Sequence, residues 1–247
     1  MKQCVITSAA RTAVGAYLGS LKDEEAQDLG AAVIREAARR SNIGLDQIDQ
    51  VILGDVYGYT PNVARCAALV AGVPEEIPAY TVDRQCASSL QAVMSATYEI
   101  QAEEAEVVIA GGTETMSRML YYLDPSVRAH PLRMGDKPLF DAFTHGVTIV
   151  QPSKLYPNLN MGLTAENVAK RCHITREEQD AFAYDSQMKY QAAYEAGRFK
   201  DEIVPVVIPQ RKKEPIVFDT DEQPRATTME GLAKLKPVFR THGKGKA

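Results

Sequence analysis

Over its first 117 residues the chain alternates short apolar runs with longer amphipathic ones. That rhythm restricts it to layered α/β arrangements in which helices cover a sheet. The run CVITSA (4–9), then 50–54, 79–82 and 107–110, read as strands. Periodicity alone cannot separate the last of these from buried helix, and its length and β-branched residues decide for strand. The segment 28–41 sets Leu29, Val33 and Ala37 at helical spacing until Ile43 and Gly44 end it, and 62–71 is a second helix stopped by Gly72 and Pro74. After Cys86 the stretch ASSLQAVMSATYEIQAEEA reads as a helix with an apolar face of Leu90, Val93, Met94, Thr97 and Ile100. Being almost uncharged until Glu99, it is expected to be enclosed on several sides.

From about Met119 to Pro224 the texture changes to proline-rich loops and two clear helices, 163–172 and 176–196. Thr175 with Glu178 forms a capping-box pattern, and Gly197 supplies the stop. A short extended part falls at 203–208. The sequence therefore divides into an α/β domain (1–118), a mostly helical insertion (119–228) and a return segment (229–247).

With 28 Lys plus Arg against 32 Asp plus Glu the formal net charge is −4, which favours neither nucleic acid nor an acidic membrane surface as a partner. The four cysteines, at positions 4, 66, 86 and 172, form no CxxC pair, so free thiols in a reducing compartment are expected. The apolar stretch at the amino terminus is shorter than the roughly 7–15 residues of a signal peptide, and no run approaches the roughly 18 apolar residues of a membrane span. A cytoplasmic protein is the expectation.

The informative chemistry is a cysteine placed between a strand and the first turn of a nearly uncharged helix. Helix N-termini present unpaired N–H groups and partial positive charge, which favour thiolate over thiol, and a thiolate attacks acyl carbonyls. The plainer alternative is that Cys86 is a buried structural cysteine. No HExxH, DxDxDG or CxxC spacing supports a metal, and Gly111-Gly112 is not a phosphate-binding GxGxxG. His130, His145, His173 and His242 lie far from Cys86 in sequence and read as surface or capping residues. Glu103, Glu104 and Glu106 read as a solvated helix end, and Arg211-Lys212-Lys213 as an exposed turn.

Five motifs in order, AARTAVGAYLGSL, DRQCASSLQAV, AGGTETMSR, NMGLTAENVAKR and RATTMEGLAKLKPVF, spread over essentially the whole chain. Through them it resembles the thiolases, the acetyl-CoA acetyltransferases and 3-ketoacyl-CoA thiolases. The resemblance implies the thiolase fold, two βαβαβαββ halves stacked as α-β-α-β-α layers with a helical loop domain inserted in the first half. It places Cys86 at the acyl-accepting nucleophile. It also implies CoA or acyl-CoA contacts at Arg225, Met161, Asn160, Phe239 and Gly231, with coenzyme A as substrate and product rather than as a cofactor. Arg225 suits the adenine and phosphate end because a guanidinium both stacks and donates to phosphate; the alternative for it is a solvated loop charge.

Asn160 stands where many thiolases carry a His, and Gly231 where a CoA-contacting Ser is common, so contacts around pantetheine are expected to differ. The chain ends at THGKGKA, before the last strand of the first half and the entire second half that the resemblance implies. The Asn of an NEAF-like motif, the His of a GHP motif and the Cys of a CxGGG motif lie in that half and have no counterparts here. The expectation is the amino-terminal half of a thiolase, an acyltransferase working with a separate carboxy-terminal-half chain, with copies of itself, or both. The competing expectation is a non-catalytic CoA-binding scaffold or a truncated relic.

Overall fold

The structure is a computed structural model that describes residues 2–152, 154–157 and 159–239. It divides into two units, 1–120 with 199–223 and 121–198 with 224–247. The boundaries drawn from sequence differ from these units in placing 199–223 with the insertion and in setting the segment from 229 apart as a return to the first domain, whereas it groups with the second unit.

In chain order the elements are β1 (Arg11–Thr12), α1 (Ala26–Arg40), β2 (Gln50–Gly54), α2 (Val63–Ala71), β3 (Ala79–Val82), α3 (Ser88–Gln101) and β4 (Val108–Gly112). They continue with β5 (Tyr121–Tyr122), α4 (Ser126–Ala129), β6 (Phe140–Asp141), α5 (Ala142–Ile149), α6 (Met161–Cys172) and α7 (Arg176–Glu195). The last are β7 (Ile203–Val204), β8 (Val206–Ile208), β9 (Ile216–Phe218) and α8 (Met229–Ala233).

The first unit is built on a three-stranded parallel sheet in the order β3-β2-β4, with Val51 opposite Ala79 and Ile109. Side chains alternate faces along a strand, so β2 serves two layers at once. Val51 and Leu53 pack with Ala31 and Ile34 of α1 and Ala64, Ala67 and Ala68 of α2, while Ile52 packs with Ala92 and Ala96 of α3. The alanines let α1 and α2 lie close on the sheet. Asn62 starts α2 by accepting the Arg65 N–H, and Gly72, at φ +93°, ends it in the left-handed conformation a glycine C-cap permits.

A smaller cluster joins Ala13, Leu21 and Leu29 to Val206 of β8 and Phe218 of β9. Arg11 fixes this corner. Its guanidinium pairs with the buried Asp221 carboxylate at 2.8 and 3.2 Å and with Glu202 at 3.1 Å, while Asp221 also accepts the Val14 N–H.

Two expectations fail in this unit. The CVITSA run forms no strand: residues 2–10 are outside any regular element, and Val5 and Ile6 are 67% and 81% exposed. Alternation makes a segment strand-like, but pairing needs a neighbour, and among the described residues none lies beside it. The apolar face assigned to α3 is likewise not the face that packs: Ser88, Ala92 and Ala96 are buried while Leu90 is 63% exposed. Close approach of a helix to a sheet selects small side chains over large ones.

In the second unit β5 pairs antiparallel with β6, and α7 packs against α8. Thr175 and Glu178 form the capping box at the start of α7. Arg176 of α7 donates to the carbonyls of Leu232 and Leu235, capping the end of α8 with charge. Among the described residues no helix is long and apolar enough to cross a membrane.

Candidate active site

The carboxyl ends of three parallel strands meet at one edge of the sheet, the position where open α/β sheets form clefts. Here the cleft is a cavity of about 260 Å³ lined by Gly54, Asp55 and Val56 at and after the end of β2, by Gln85 and Cys86 of the turn after β3 with Ser88 and Ser89 at the start of α3, and by Gly112, Thr113 and Glu114 at and after the end of β4.

Cys86 stands on a tight turn that the local sequence constructs. Asp83 Oδ1 accepts the Gln85 N–H at 2.8 Å, and Ser88 Oγ accepts the Arg84 N–H at 2.8 Å while donating to the Gln85 carbonyl at 2.6 Å. Gln85 is held at φ +52°, a left-handed conformation costing a non-glycine residue about 1 kcal/mol. The result is a cysteine that is exposed, one residue ahead of Ala87, the N-cap of α3. α3 has neither a capping side chain nor an acid in its first turn. In this chain Cys86 is exposed, not buried as the plainer alternative has it.

Close approach of α3 to the strand ends requires glycine at a register pair. Gly54 lies opposite Gly112. A Cβ on Gly54 would stand 2.5 Å from the backbone of Ser88 and Ser89, and one on Gly112 would stand 2.0 Å from Ser89 Oγ. Glycine at this register pair gives the turn bearing Cys86 room on the sheet, most strictly at Gly54, where the clash would be with main chain.

Opposite Cys86 are groups the sequence reading did not single out. Glu114 accepts the Val56 N–H at 2.9 Å and the Tyr57 N–H at 3.2 Å. Burial, and then a hydrogen bond with Asp55, push its carboxyl up to about 7. Tyr57 is raised above the ordinary phenol value, first by burial and then by the charges of Cys86, Glu114 and Asp83. Glu114 lies inside the AGGTETMSR motif, and Asp55 directly follows the buried run VILG. A carboxylate at the very end of a fully buried parallel strand was the signal available.

The residues expected to contact CoA all lie in the second unit. Asn160 Oδ1 accepts the Leu163 N–H at 2.9 Å, so it is the N-cap of α6. Met161 begins that helix, 76% exposed, and the Phe239 ring lies against Gly162 beside it. The structure thus brings Asn160, Met161 and Phe239 together at one helix start. Arg225 is exposed, its N–H bound to Gln187 Oε1 at 3.1 Å, and among the described residues its guanidinium has no ion-pair partner. Gly231 sits in α8 with its N–H on Thr228 Oγ1. His130, His145 and His173 also belong to this unit, and none lines the Cys86 cavity. His242 and the THGKGKA tail lie outside the described residues. Among the described residues no group of three or more His, Cys, Asp or Glu is arranged to hold a metal ion.

Comparison with known proteins agrees with this architecture. The family model "Thiolase, N-terminal domain" matches residues 4–247. An acetyl-CoA acetyltransferase of Pseudomonas aeruginosa is 48% identical over 246 residues, covering 98% of this chain and 61% of the relative. A beta-ketoadipyl-CoA thiolase of Acinetobacter baylyi is 46% identical over 250 residues, with 98% and 61% covered. The crystal structure of the Bacillus anthracis acetyl-CoA acetyltransferase superposes with a TM-score of 0.86 at 41% identity, covering 96% of this chain and 59% of that one. The chain spans about three fifths of the length of these relatives.

Proposed function

The chain belongs to the thiolase family through its amino-terminal domain, and from that premise we propose that it is the acyl-accepting part of a thiolase-type acyltransferase. In the proposed reaction the Cys86 thiolate Sγ bonds to the carbonyl carbon of an acyl-CoA or 3-ketoacyl-CoA. The bond from that carbon to its leaving group breaks: for acyl-CoA this is the C–S bond, releasing CoA thiolate, and for 3-ketoacyl-CoA, attacked at its 3-keto carbon, it is the C2–C3 bond, releasing the enolate of acetyl-CoA and leaving the shortened acyl group on Sγ; each leaving group then takes a proton. In the second half-reaction free CoA or the α-carbon of a second thioester takes the acyl group from Sγ. The observation that carries this reading is the exposed Cys86 at the tip of its turn, opening into the cavity at the strand ends.

General acid and base steps contribute roughly 10²–10⁴-fold each. No described histidine lines the cavity, so we assign these groups to a partner, either a chain carrying the carboxy-terminal half or a second copy. Coenzyme A is then substrate and product, with Arg225 proposed at its nucleotide end and Met161 and Phe239 along pantetheine. Asn160 and Gly231 line the same stretch.

A second reading, a CoA-binding scaffold without turnover, fits a cavity that no described histidine lines. Incubation with acetyl-CoA followed by peptide mass spectrometry separates the two. Acyl transfer leaves one acetyl group on the Cys86 peptide, lost in Cys86→Ser. The scaffold instead binds CoA in a calorimetric titration, more weakly in Arg225→Ala, with no acetyl on any cysteine.

A further inference from the structure

Two carboxyl groups converge on a single N–H in the wall of the Cys86 cavity. The Val56 N–H lies 2.9 Å from Glu114 Oε2 and 3.1 Å from Asp55 Oδ1. One donor cannot compensate two negative charges, and Asp55 is only 8% exposed, so little water is available to it. Two carboxylates this close repel one another when both are ionised, and a proton placed between them turns the repulsion into a hydrogen bond. The other oxygen of Glu114 takes the Tyr57 N–H. One side chain from the segment after β4 therefore holds two consecutive amides of the segment after β2, across the cavity that Cys86 faces.

We propose that Glu114 is a positioning residue for Cys86. In this reading one proton between the two carboxyls lets Glu114 clamp the Val56–Tyr57 segment as the fixed wall opposite the sulfur, and its loss sets Glu114 against the Asp55 carboxylate, a repulsion that opposes the two N–H bonds and loosens the wall. The inference rests on the reading of Cys86 as the reacting group but concerns a different residue. Within the cavity the titratable group that lines it with the pair is Cys86, from the turn after β3; the Tyr57 phenol, on the clamped segment itself, is acted on by Cys86, Glu114 and Asp83. Behind Asp55 a small enclosed cavity is also lined by Glu25 and Arg118, which pair with each other at 2.5 Å. The cation there is engaged by Glu25, and among the described residues no Lys, Arg or His lines the cavity side of the pair to replace the shared proton.

The test is the rate of iodoacetamide alkylation of Cys86 relative to Cys172, which is exposed and serves as an internal control in the same chain. The ratio removes the pH effect common to both thiols, and comparing it between the unaltered chain and Glu114→Gln removes any fixed difference between them that the start of α3 sets. As pH rises through about 7 it should fall roughly tenfold further in the unaltered chain than in Glu114→Gln, the scale on which a displaced pocket wall alters reactivity. Glu114→Gln, which keeps an acceptor for the segment but has no proton to lose, should flatten the curve, and Asp55→Asn should do the same. A merely structural role would lower thermal stability in both variants while leaving the shape of the curve unchanged, and that outcome overturns the proposal. Should Glu114→Gln not fold, the Asp55→Asn curve decides alone. A chain that takes no acetyl group from acetyl-CoA yet shows the Glu114-dependent fall loses the acyl-transfer reading and keeps this one.

Discussion

Glu114 also ties folding stability to pH, and the sign follows from its folded-state value of about 7 against an ordinary 4.5. Below 4.5 the carboxyl is protonated whether the chain is folded or not. Between the two values the folded chain keeps a proton that the unfolded chain has released, so stability from this group declines as pH rises and is gone above about 7. Glu114→Gln removes the titration. It also leaves one of the two backbone N–H groups without an acceptor, a cost of about 1 kcal/mol that does not vary with pH. Urea midpoints should therefore show the variant gaining on the unaltered chain between about pH 5 and pH 8, by roughly 1–2 kcal/mol once solvent screening of a half-buried group is allowed for. A difference that stays constant over that interval would mean the carboxyl titrates at its ordinary value.

At the scale of elements, the contact between α3 and the strand ends carries the site. Gly112→Ala drives a Cβ to 2.0 Å from Ser89 Oγ, and Gly54→Ala drives one into the Ser88–Ser89 backbone. The first clash meets a hydroxyl that rotates away; the second meets main chain that must move as a unit. Gly54→Ala is therefore expected to cost about 3 kcal/mol and to slow Cys86 alkylation, while Gly112→Ala costs about 1 kcal/mol. Denaturant unfolding checks the order, and equal effects would show that α3 is free to shift. Much at this scale was legible in the sequence. β2 and β3 begin and end where read, because each is a short apolar run closed by turn residues. Asn62 and Thr175 mark their helix starts for the same reason: capping chemistry is local. What failed was non-local. Whether CVITSA pairs depends on a neighbouring strand, and which face of α3 packs depends on how near the sheet comes. Cys86 could be found from its setting, but nothing local links Asp55 to Glu114, and only the fold puts both on the Val56 N–H.

For the whole molecule the open question is association, and the exposed apolar surface of the first unit bears on it directly. α3 turns Leu90 outward, Val5 and Ile6 lie exposed in a strand-like segment without a partner, and among the described residues β3 and β4 each pair on one edge only. Open strand edges beside apolar side chains invite pairing from another chain. A net charge of −4 on 247 residues offers little repulsion against it. The chain is expected to self-associate with rising concentration. Burying one leucine contributes about 1.5–3 kcal/mol, so Leu90→Glu should weaken association roughly tenfold or more. Sedimentation velocity across a concentration series reads this directly. The variant should remain monomeric where the unaltered chain dimerises, with an unchanged circular dichroism spectrum showing that α3 is intact. An unaltered chain that stays a monodisperse monomer at about 0.1 mM, where even a Kd near 1 μM would be saturated, sinks the argument.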